Sequence, residues 1–479
     1  MREKTAILLV VLLVYFASLS GATIIFDDRI DYLAGRGPCS VIYADVDGDG
    51  HQDLISANCY TDDVSVLLNS GDGSFLTAAN YGVGDGPRIV IASDFDNDGN
   101  LDLAAVYSGR ENVADSEGVS VLINTGAGTF LPADTYDFAG DPESIHASDL
   151  DGDGFNDLIA VSAMYDQVAT FLNKGDGTFN TPSLYETGDY PYSVYSVDLD
   201  DNGIKEILVA NYMGSSVSVF PVHNDGTLLP RTDYPVGFAV RCVRAADLNN
   251  DGYPDIIATN GGSSSVSILL GNMCGVFPPE VRYNTGGSVP TVAIPADLDG
   301  DGDLDIAVSH YGTSVVGVLQ NNGNGTFTYP VTFPAGEGCW SVCAADIDGD
   351  NDIDLASAGY KSWDVSVFIN GQNSHTTADD NDFVLLPNNY SISQNHPNPF
   401  NPATTIDFTL PKQSYVTIEV FNLLGERIRT LLNESKSAGQ HAIVWNGTDE
   451  NNQSVASGIY LYRIMAEDFI QARQMILMK

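Results

Sequence analysis

Seven short acidic stretches hold the chemistry that this sequence is equipped to do. The first runs Asp45-Val-Asp47-Gly-Asp49-Gly50-His-Gln-Asp53, with carboxylates at loop positions 1, 3, 5 and 9 and glycine at 6. The pattern returns as Asp94/Asp96/Asp98/Asp102, Asp149/Asp151/Asp153/Asp157 and Asp198/Asp200/Asn202/Glu206. It returns again as Asp247/Asn249/Asp251/Asp255, Asp297/Asp299/Asp301/Asp305 and Asp346/Asp348/Asp350/Asp354. Two carboxylates about 4 Å apart repel by roughly 4 kcal/mol at an effective dielectric near 20. Calcium removes that repulsion, because it accepts several oxygens at about 2.4 Å in a tolerant geometry, whereas magnesium demands a strict octahedron. The expected ligands are the side chains at positions 1, 3, 5 and 9 plus the carbonyl of position 7, which is His51 in the first loop. Gly50, Gly99, Gly154, Gly203, Gly252 and Gly302 suit the positive φ of such a turn, and Asn351 is the best substitute in the seventh. Up to seven structural Ca²⁺ ions are expected.

The elements that must position these loops repeat with them. First aspartates follow one another at 49, 55, 49, 49, 50 and 49 residues. A strand precedes each loop, a second follows it, and a third is β-branched, as in Val64-Ser-Val-Leu-Leu-Asn69. A turn such as Gly175-Asp-Gly-Thr-Phe179 then leads to a fourth strand. Four strands per unit of this length make one propeller blade, whereas a calcium-binding β-helix has a much shorter repeat. The seventh repeat ends after its third strand, Val365-Ser-Val-Phe-Ile-Asn370, while residues 23–34 read as a fourth strand without a blade. These two pieces are expected to join and close the ring.

The repeats resemble FG-GAP/VCBS repeats, the calcium-loop blades of the integrin α-subunit head and of many bacterial exported proteins. The likeness spans residues 23–371. It implies a seven-bladed β-propeller with its metal loops on the face opposite the usual ligand surface. The fold class expected overall is all-β: this propeller followed by a small Ig-like β-sandwich.

Composition bounds the function. The chain of 479 residues carries 64 acidic against 20 basic side chains, a net charge of −44. Seven divalent ions would take that to about −30. A surface so negative lacks the basic footprint of a nucleic-acid binder. Residues 1–22 read as a secretory signal: Met1-Arg-Glu-Lys4, an apolar run from Ala6 to Ala17, then small residues up to Ala22. No later segment is long and apolar enough to span a bilayer as a helix.

After a polar linker over 372–386, residues 387–479 read as short strands separated by turn residues, the pattern of a small sandwich. This stretch resembles the type A C-terminal sorting domain of the bacterial type IX secretion system. The matching pieces are Gln394-Asn395, Pro397-Asn-Pro-Phe-Asn-Pro402, Phe421-Asn-Leu-Leu-Gly425, Ala456-Ser-Gly-Ile-Tyr460 and Gln474-Met-Ile-Leu-Met-Lys479. His396 stands where that family usually has tyrosine. The resemblance implies passage through that machinery and a place at, or release from, the outer-membrane surface of a Gram-negative bacterium.

A candidate ligand surface follows from register. If the residue before each loop faces position 10, offset −6 from the first aspartate faces offset +14. That pairs Cys39 with Cys59, Arg88 with Ser108, Glu143 with Ala163, Tyr192 with Tyr212 and Arg241 with Gly261. It also pairs Thr291 with Tyr311 and Trp340 with Tyr360. A Cys39–Cys59 disulfide is expected on this basis. The mouth opposite the metal would then hold Arg88, Glu143, Tyr192, Tyr212, Arg241, Tyr311, Trp340 and Tyr360, with Asn211, Asn260 and His310 beside them. The second repeat carries an insertion near Tyr107–Gly118 on the same face. Aromatic rings and arginines suit a polysaccharide or a protein partner. No Gly-x-Ser-x-Gly, His-Glu-x-x-His or zinc-like Cys/His spacing occurs, so no catalytic residue is expected. A polysaccharide lyase and a passive matrix protein are the alternative readings.

Overall fold

The computed structural model describes residues 24–109, 117–273, 275–371 and most of 390–478. The signal segment, the linker, Cys274 and most of the insertion lie outside the described residues. The chain divides into two compact units, Met1–Thr377 and Ala378–Lys479.

The first unit is a seven-bladed propeller of four-stranded antiparallel sheets. Blade one is typical: inner strand Pro38–Ala44, then Asp53–Asn58, Asp63–Leu67 and outer strand Ala79–Gly82. Every residue of the second strand is buried in all seven blades, because each sheet is covered on both faces by its neighbours. Outer strands keep only one side chain in four half-covered, as in Ala79–Gly82, and meet solvent. The core is therefore a ring of inter-blade layers. One joins Ile55, Val64 and Val66 of blade one to Val90, Leu103 and Leu122 of blade two. Each such side chain contributes about 1.5–3 kcal/mol through burial.

The ring closes with the start of the chain. Ile30–Leu33 pairs antiparallel with Asp364–Phe368, Ile30 opposite Val367 and Leu33 opposite Asp364. This makes it the fourth strand of the sheet that holds Cys339–Ala345 and Asp354–Gly359. Upstream, Phe26 bridges to Asn370 and packs edge-on against Phe333, ring centroids 4.9 Å apart. Blades one and seven then share a core of Val41, Leu54 and Leu67 with Ala356, Val365 and Val367.

The inner hairpin departs from the register expected of it. The residue before each loop faces position 9, not 10: Ala44 opposite Asp53, Ser148 opposite Asp157. Every inner strand then shifts register at offset −6, where Pro38/Asn58 is followed by Ser40/Ala57 and Cys39 is left over. The same break occurs in five other blades, and in blade six it leaves out both Thr291 and Val292. The residue at −8 adopts positive φ in every blade, among them Asp141, Tyr190, Ala239 and Val289. Its carbonyl accepts the N–H of offset +14, as Gly37 does from Cys59 at 3.0 Å. Offset +14 thus bonds to −8. The pairs expected from −6 are not backbone partners.

The second unit is a sandwich of a three-stranded and a four-stranded sheet around Trp445, Tyr462, Phe400 and Phe408. Phe400, from the Pro-Asn-Pro-Phe-Asn-Pro stretch, is buried against Trp445 and bridges to Leu477. Asn398 accepts the N–H of Ile476 at 2.8 Å. The proline-rich entry and the last strand, Phe469–Leu477, hold each other in place.

Candidate functional site

Each acidic loop is built by its own side chains. Asp45 accepts the N–H groups of Gly48 and Gly50 at 2.8 and 3.0 Å, and Asp49 accepts that of His51 at 2.9 Å. These bonds coil the nonapeptide. Position 6 has positive φ throughout, 94° at Gly50 and 74° at Asn351, as that coil requires. Position 9 is the anchor. Both oxygens of Asp53 accept backbone N–H groups, from Val46 at the loop's start and Asn69 just beyond the third strand, at 3.0 and 2.8 Å.

In at least five loops the carboxylates at positions 1, 3 and 9 converge, with one oxygen from each within 4.8 Å of the others. The sets are Asp45/Asp47/Asp53, Asp94/Asp96/Asp102, Asp149/Asp151/Asp157, Asp198/Asp200/Glu206 and Asp297/Asp299/Asp305. Two oxygens bound about 2.4 Å from one calcium can be no farther apart than that. The donors are all hard oxygens, and each position-9 oxygen keeps a lone pair after accepting its N–H. Burial pushes the position-9 acids up, to about 6 for Asp53, Asp102, Asp157 and Asp255 and about 7 for Asp305 and Asp354. Crowded acids resisting ionisation are what a divalent cation relieves.

Two positions of the expected four-side-chain set differ from the rest in geometry. Position 5 stands outside the converging triads: Asp49, Asp98, Asp153, Asn202 and Asp301 belong to none of the five sets above. Position 5 also carries a local bond. One side-chain oxygen at position 5 accepts the N–H of position 7 in every loop, from His51 to Asp49, Asn100 to Asp98, Phe155 to Asp153 and Ile204 to Asn202. The same bond runs from Tyr253 to Asp251, Asp303 to Asp301 and Asp352 to Asp350. Position 5 is exposed in six loops and half-buried only at Asp350. The other departure is Asn249. Its neutral amide occupies position 3 of the fifth loop and accepts the Asp251 N–H at 2.9 Å, so Asp247 and Asp255 have no third carboxylate between them at that position.

A second set of residues escaped the sequence reading. Asn69, Asn124, Asn173, Asn321 and Asn370 stand two residues beyond the third strands of five blades. Asn173 donates to the carbonyl of Asn156 in its own blade and to that of Phe95 in the preceding one, both at 2.9 Å. Its Oδ1 accepts the N–H of Gly175. Phe95 is position 2 of the neighbouring acidic loop, so each asparagine ties its blade to the preceding blade's loop. Asn69 does this across the closure, to Ile347 at 2.9 Å. Val222 and Gly271 occupy the position in blades four and five. For four of the five, the signal is present in the Asn-x-Gly-x-Gly-x-Phe pattern, whose asparagine reads simply as part of a turn.

At the other end of the inner strands, the bulge residues are Cys39, Arg88, Glu143, Tyr192, Arg241, Thr291 and Trp340. A bulge re-aims its side chain. Here all except Cys39 line an axial cavity of about 270 Å³. The side chains meet although their backbones do not pair. Tyr192 and Tyr212 rings lie 5.6 Å apart, Tyr311 and Trp340 5.0 Å, Trp340 and Tyr360 5.5 Å. The Arg241 guanidinium sits 5.3 Å from the Tyr192 and Tyr212 rings and 5.7 Å from Trp340. Arg88 donates from Nε to Ser108 at 2.9 Å and stands 3.9 Å from Asp141. Glu143 is 7% exposed, and burial pushes its carboxyl up to about 7 against the pull of Arg88 and Arg241. Burial, then the Glu143 charge, raises the Tyr192 hydroxyl. Around this mouth Tyr60, Met164, Tyr165, Met213 and Phe238 are each more than half exposed.

Two expectations at this end also need correction. Cys39 and Cys59 are free thiols. Cys39 is the bulge residue left out of the register, and its thiol donates to the Gly37 carbonyl at 3.4 Å, so the pairing assumed from an unbroken ladder is absent. Asn211, Asn260 and His310 do not line the mouth. They are fully buried inside their blades, where Asn260 holds Ser265 and Ser267 and His310 faces the Val315 carbonyl.

Seven sheets with acidic loops at one end and a polar, aromatic mouth at the other define an acidic-loop repeat propeller. The chain belongs to the FG-GAP-like repeat family, which matches residues 45–105, 149–209, 198–258, 247–308 and 297–357, more than half its length. Residues 400–468 match the FlgD Ig-like domain. The chain matches no curated protein. Among solved structures it is similar to BBS1N in complex with ARL6DN, at 13% identity and a TM-score of 0.51, covering 74% of this chain and 98% of that one. A Lactobacillus plantarum protein is similar at 14% identity and a TM-score of 0.50, with 65% and 88% covered. An Agrocybe aegerita lectin that recognises non-reducing terminal N-acetylglucosamine gives 19% and 0.44, with 65% and 80% covered. At these identities the likeness concerns the fold alone. Among the described residues no helix is long and apolar enough to cross a membrane.

Proposed function

We propose that this chain is an exported, calcium-stabilised propeller that binds a polysaccharide or a protein through the mouth opposite its acidic loops. The observation that carries the reading is the cluster of Arg241 with Tyr192, Tyr212 and Trp340 above an axial cavity. Rings beside a cation, half-exposed and held by bulged strands, resemble the anchors that dominate recognition sites. The exposed methionines and aromatics around them would extend the contact over a macromolecular ligand. The ligand set for calcium is built on the side chains of positions 1, 3 and 9. The position-7 carbonyl and the position-5 oxygen not committed to the position-7 N–H would complete it. The C-terminal sandwich serves as the sorting signal for the type IX machinery, which would leave the propeller at the cell surface or release it.

Glycan-array and calorimetric binding with the full chain test the reading. Trp340→Ala and Tyr192→Ala should each abolish binding while leaving the melting temperature in calcium within a few degrees. Binding that survives both substitutions would place the ligand elsewhere. A lyase reading draws on Glu143, a buried acid with a carboxyl near 7 between two arginines. New ultraviolet-absorbing ends in an acidic polysaccharide, lost in Glu143→Gln, would favour it.

A further inference from the structure

The mouth contains a charge arrangement that a general adhesive surface does not require. Glu143 is buried between Arg88 and Arg241, yet among the described residues it makes neither a hydrogen bond nor an ion pair. A buried carboxyl beside arginines normally pairs with one of them. Arg241 also lacks an ion pair among the described residues. Its Nη1 reaches the Tyr192 hydroxyl at 3.3 Å, three rings hold the guanidinium in place, and its Nε is buried without a partner. Arg88 has a long contact to Asp141 and one bond to Ser108. Two guanidinium groups and one acid therefore meet at the cavity with hydrogen-bonding capacity left over.

We propose that the channel mouth is a subsite for one uronic acid residue of an acidic polysaccharide, its carboxylate taken by Arg88 and Arg241 and by Glu143 acting as hydrogen-bond donor. The inference rests on the reading of the mouth as the ligand surface and adds the ligand's class. A planar carboxylate matches the guanidinium fork. The Tyr192 and Trp340 faces beside it suit the apolar face of a sugar ring. The cavity, about 270 Å³, lies at the lower edge of small-ligand sites, with room for one ring and not several.

The acid decides how binding depends on pH. The groups facing Glu143 are Asp141 on its own blade, Arg88 on blade two, Tyr192 and Tyr190 on blade four, the latter donating its hydroxyl to Asp141 at 3.3 Å, and Arg241 on blade five, with the Cys39 thiol on blade one beside Arg88. As a carboxylate, Glu143 would repel the ligand's own. As the neutral acid it donates a hydrogen bond, so binding takes up a proton. With its carboxyl at about 7, affinity should fall as pH rises through that value. Glu143→Gln keeps a donor of the same shape and removes the titration.

The experiment is calorimetry of the full chain in saturating calcium with a short oligogalacturonate, its carboxyl-reduced neutral counterpart and an acidic peptide. Oligogalacturonate should bind at least about ten-fold more tightly than the neutral form. Its affinity should drop about ten-fold from pH 6 to pH 8 in the wild type and stay flat in Glu143→Gln. Arg241→Gln should lose the preference for the charged sugar, with its melting temperature checked against the wild type. Equal binding of the neutral counterpart would overturn this inference and leave the mouth reading standing. So would a Glu143→Gln variant with the wild-type pH profile. Preference for the acidic peptide would overturn it in favour of a protein partner. Binding of neither sugar nor peptide would remove both readings.

Discussion

The asparagine ties give the propeller a testable mechanical logic. In Asn173→Ala three side-chain hydrogen bonds disappear, to the carbonyls of Asn156 and Phe95 and from the N–H of Gly175. Each is worth about 1 kcal/mol, and a buried carbonyl left without a donor costs about 1–3 kcal/mol. The expected loss is therefore about 3 kcal/mol, rising towards about 5 if both carbonyls stay dry. Phe95 lies between Asp94 and Asp96, so the variant should also loosen the second acidic loop and weaken its ion. Denaturant unfolding in saturating calcium, followed by intrinsic fluorescence, reads the first effect, and competition with a calcium indicator reads the second. Asn180→Ala, at an exposed asparagine of the same blade, is the control. A loss for Asn173→Ala no larger than the control's would refute the idea that these side chains fasten blades.

Three further outcomes follow from the same geometry. In calcium-free protein the position-9 aspartates have folded-state values of about 6–7, above the 3.8 of a free aspartate. Their contribution is then fully present below pH 3.8 and is lost as pH rises through 6–7, so chelated protein should melt higher at about pH 5 than at pH 8. In saturating calcium the sign reverses, because protons displace the ion; identical pH profiles with and without calcium would contradict this. Deleting residues 23–34 removes the fourth strand of blade seven and should sharply lower the melting temperature, and an unchanged value would reject the closure. Phe400→Ala should cost the isolated second unit about 3–5 kcal/mol, since the ring is buried against Trp445; a neutral effect in denaturant titration would show that the motif is not part of its core.

The sequence displayed the acidic loops, seven repeats, the split blade and the sandwich because each is written as spacing or alternation. What it hid is local geometry. Spacing makes Asp98, Asp153 or Asp251 look equal to its loop neighbours and does not show that each accepts the position-7 N–H. The turn at offset −8 is marked by glycine at Gly37, Gly86 and Gly338, but Asp141, Tyr190, Ala239 and Val289 take the same left-handed conformation without announcing it. The bulge that follows has no period, so an extrapolated ladder goes out of step and suggests a Cys39–Cys59 bridge. The mouth residues still gather, because a bulge turns side chains of one offset toward the axis in every blade. Asn211, Asn260 and His310 go the other way: one residue of register separates the mouth from the blade interior.

The central claim is that ions held by the acidic triads fasten the ring, and calcium binding with its thermal consequence tests it most directly. Equilibrium dialysis of metal-stripped protein should recover up to seven Ca²⁺ per chain. At about a hundred-fold excess over the dissociation constant each should add about 2.7 kcal/mol, seen as a large rise in the propeller's melting temperature. A chain that takes up no calcium and melts at the same temperature in excess chelator would contradict the account.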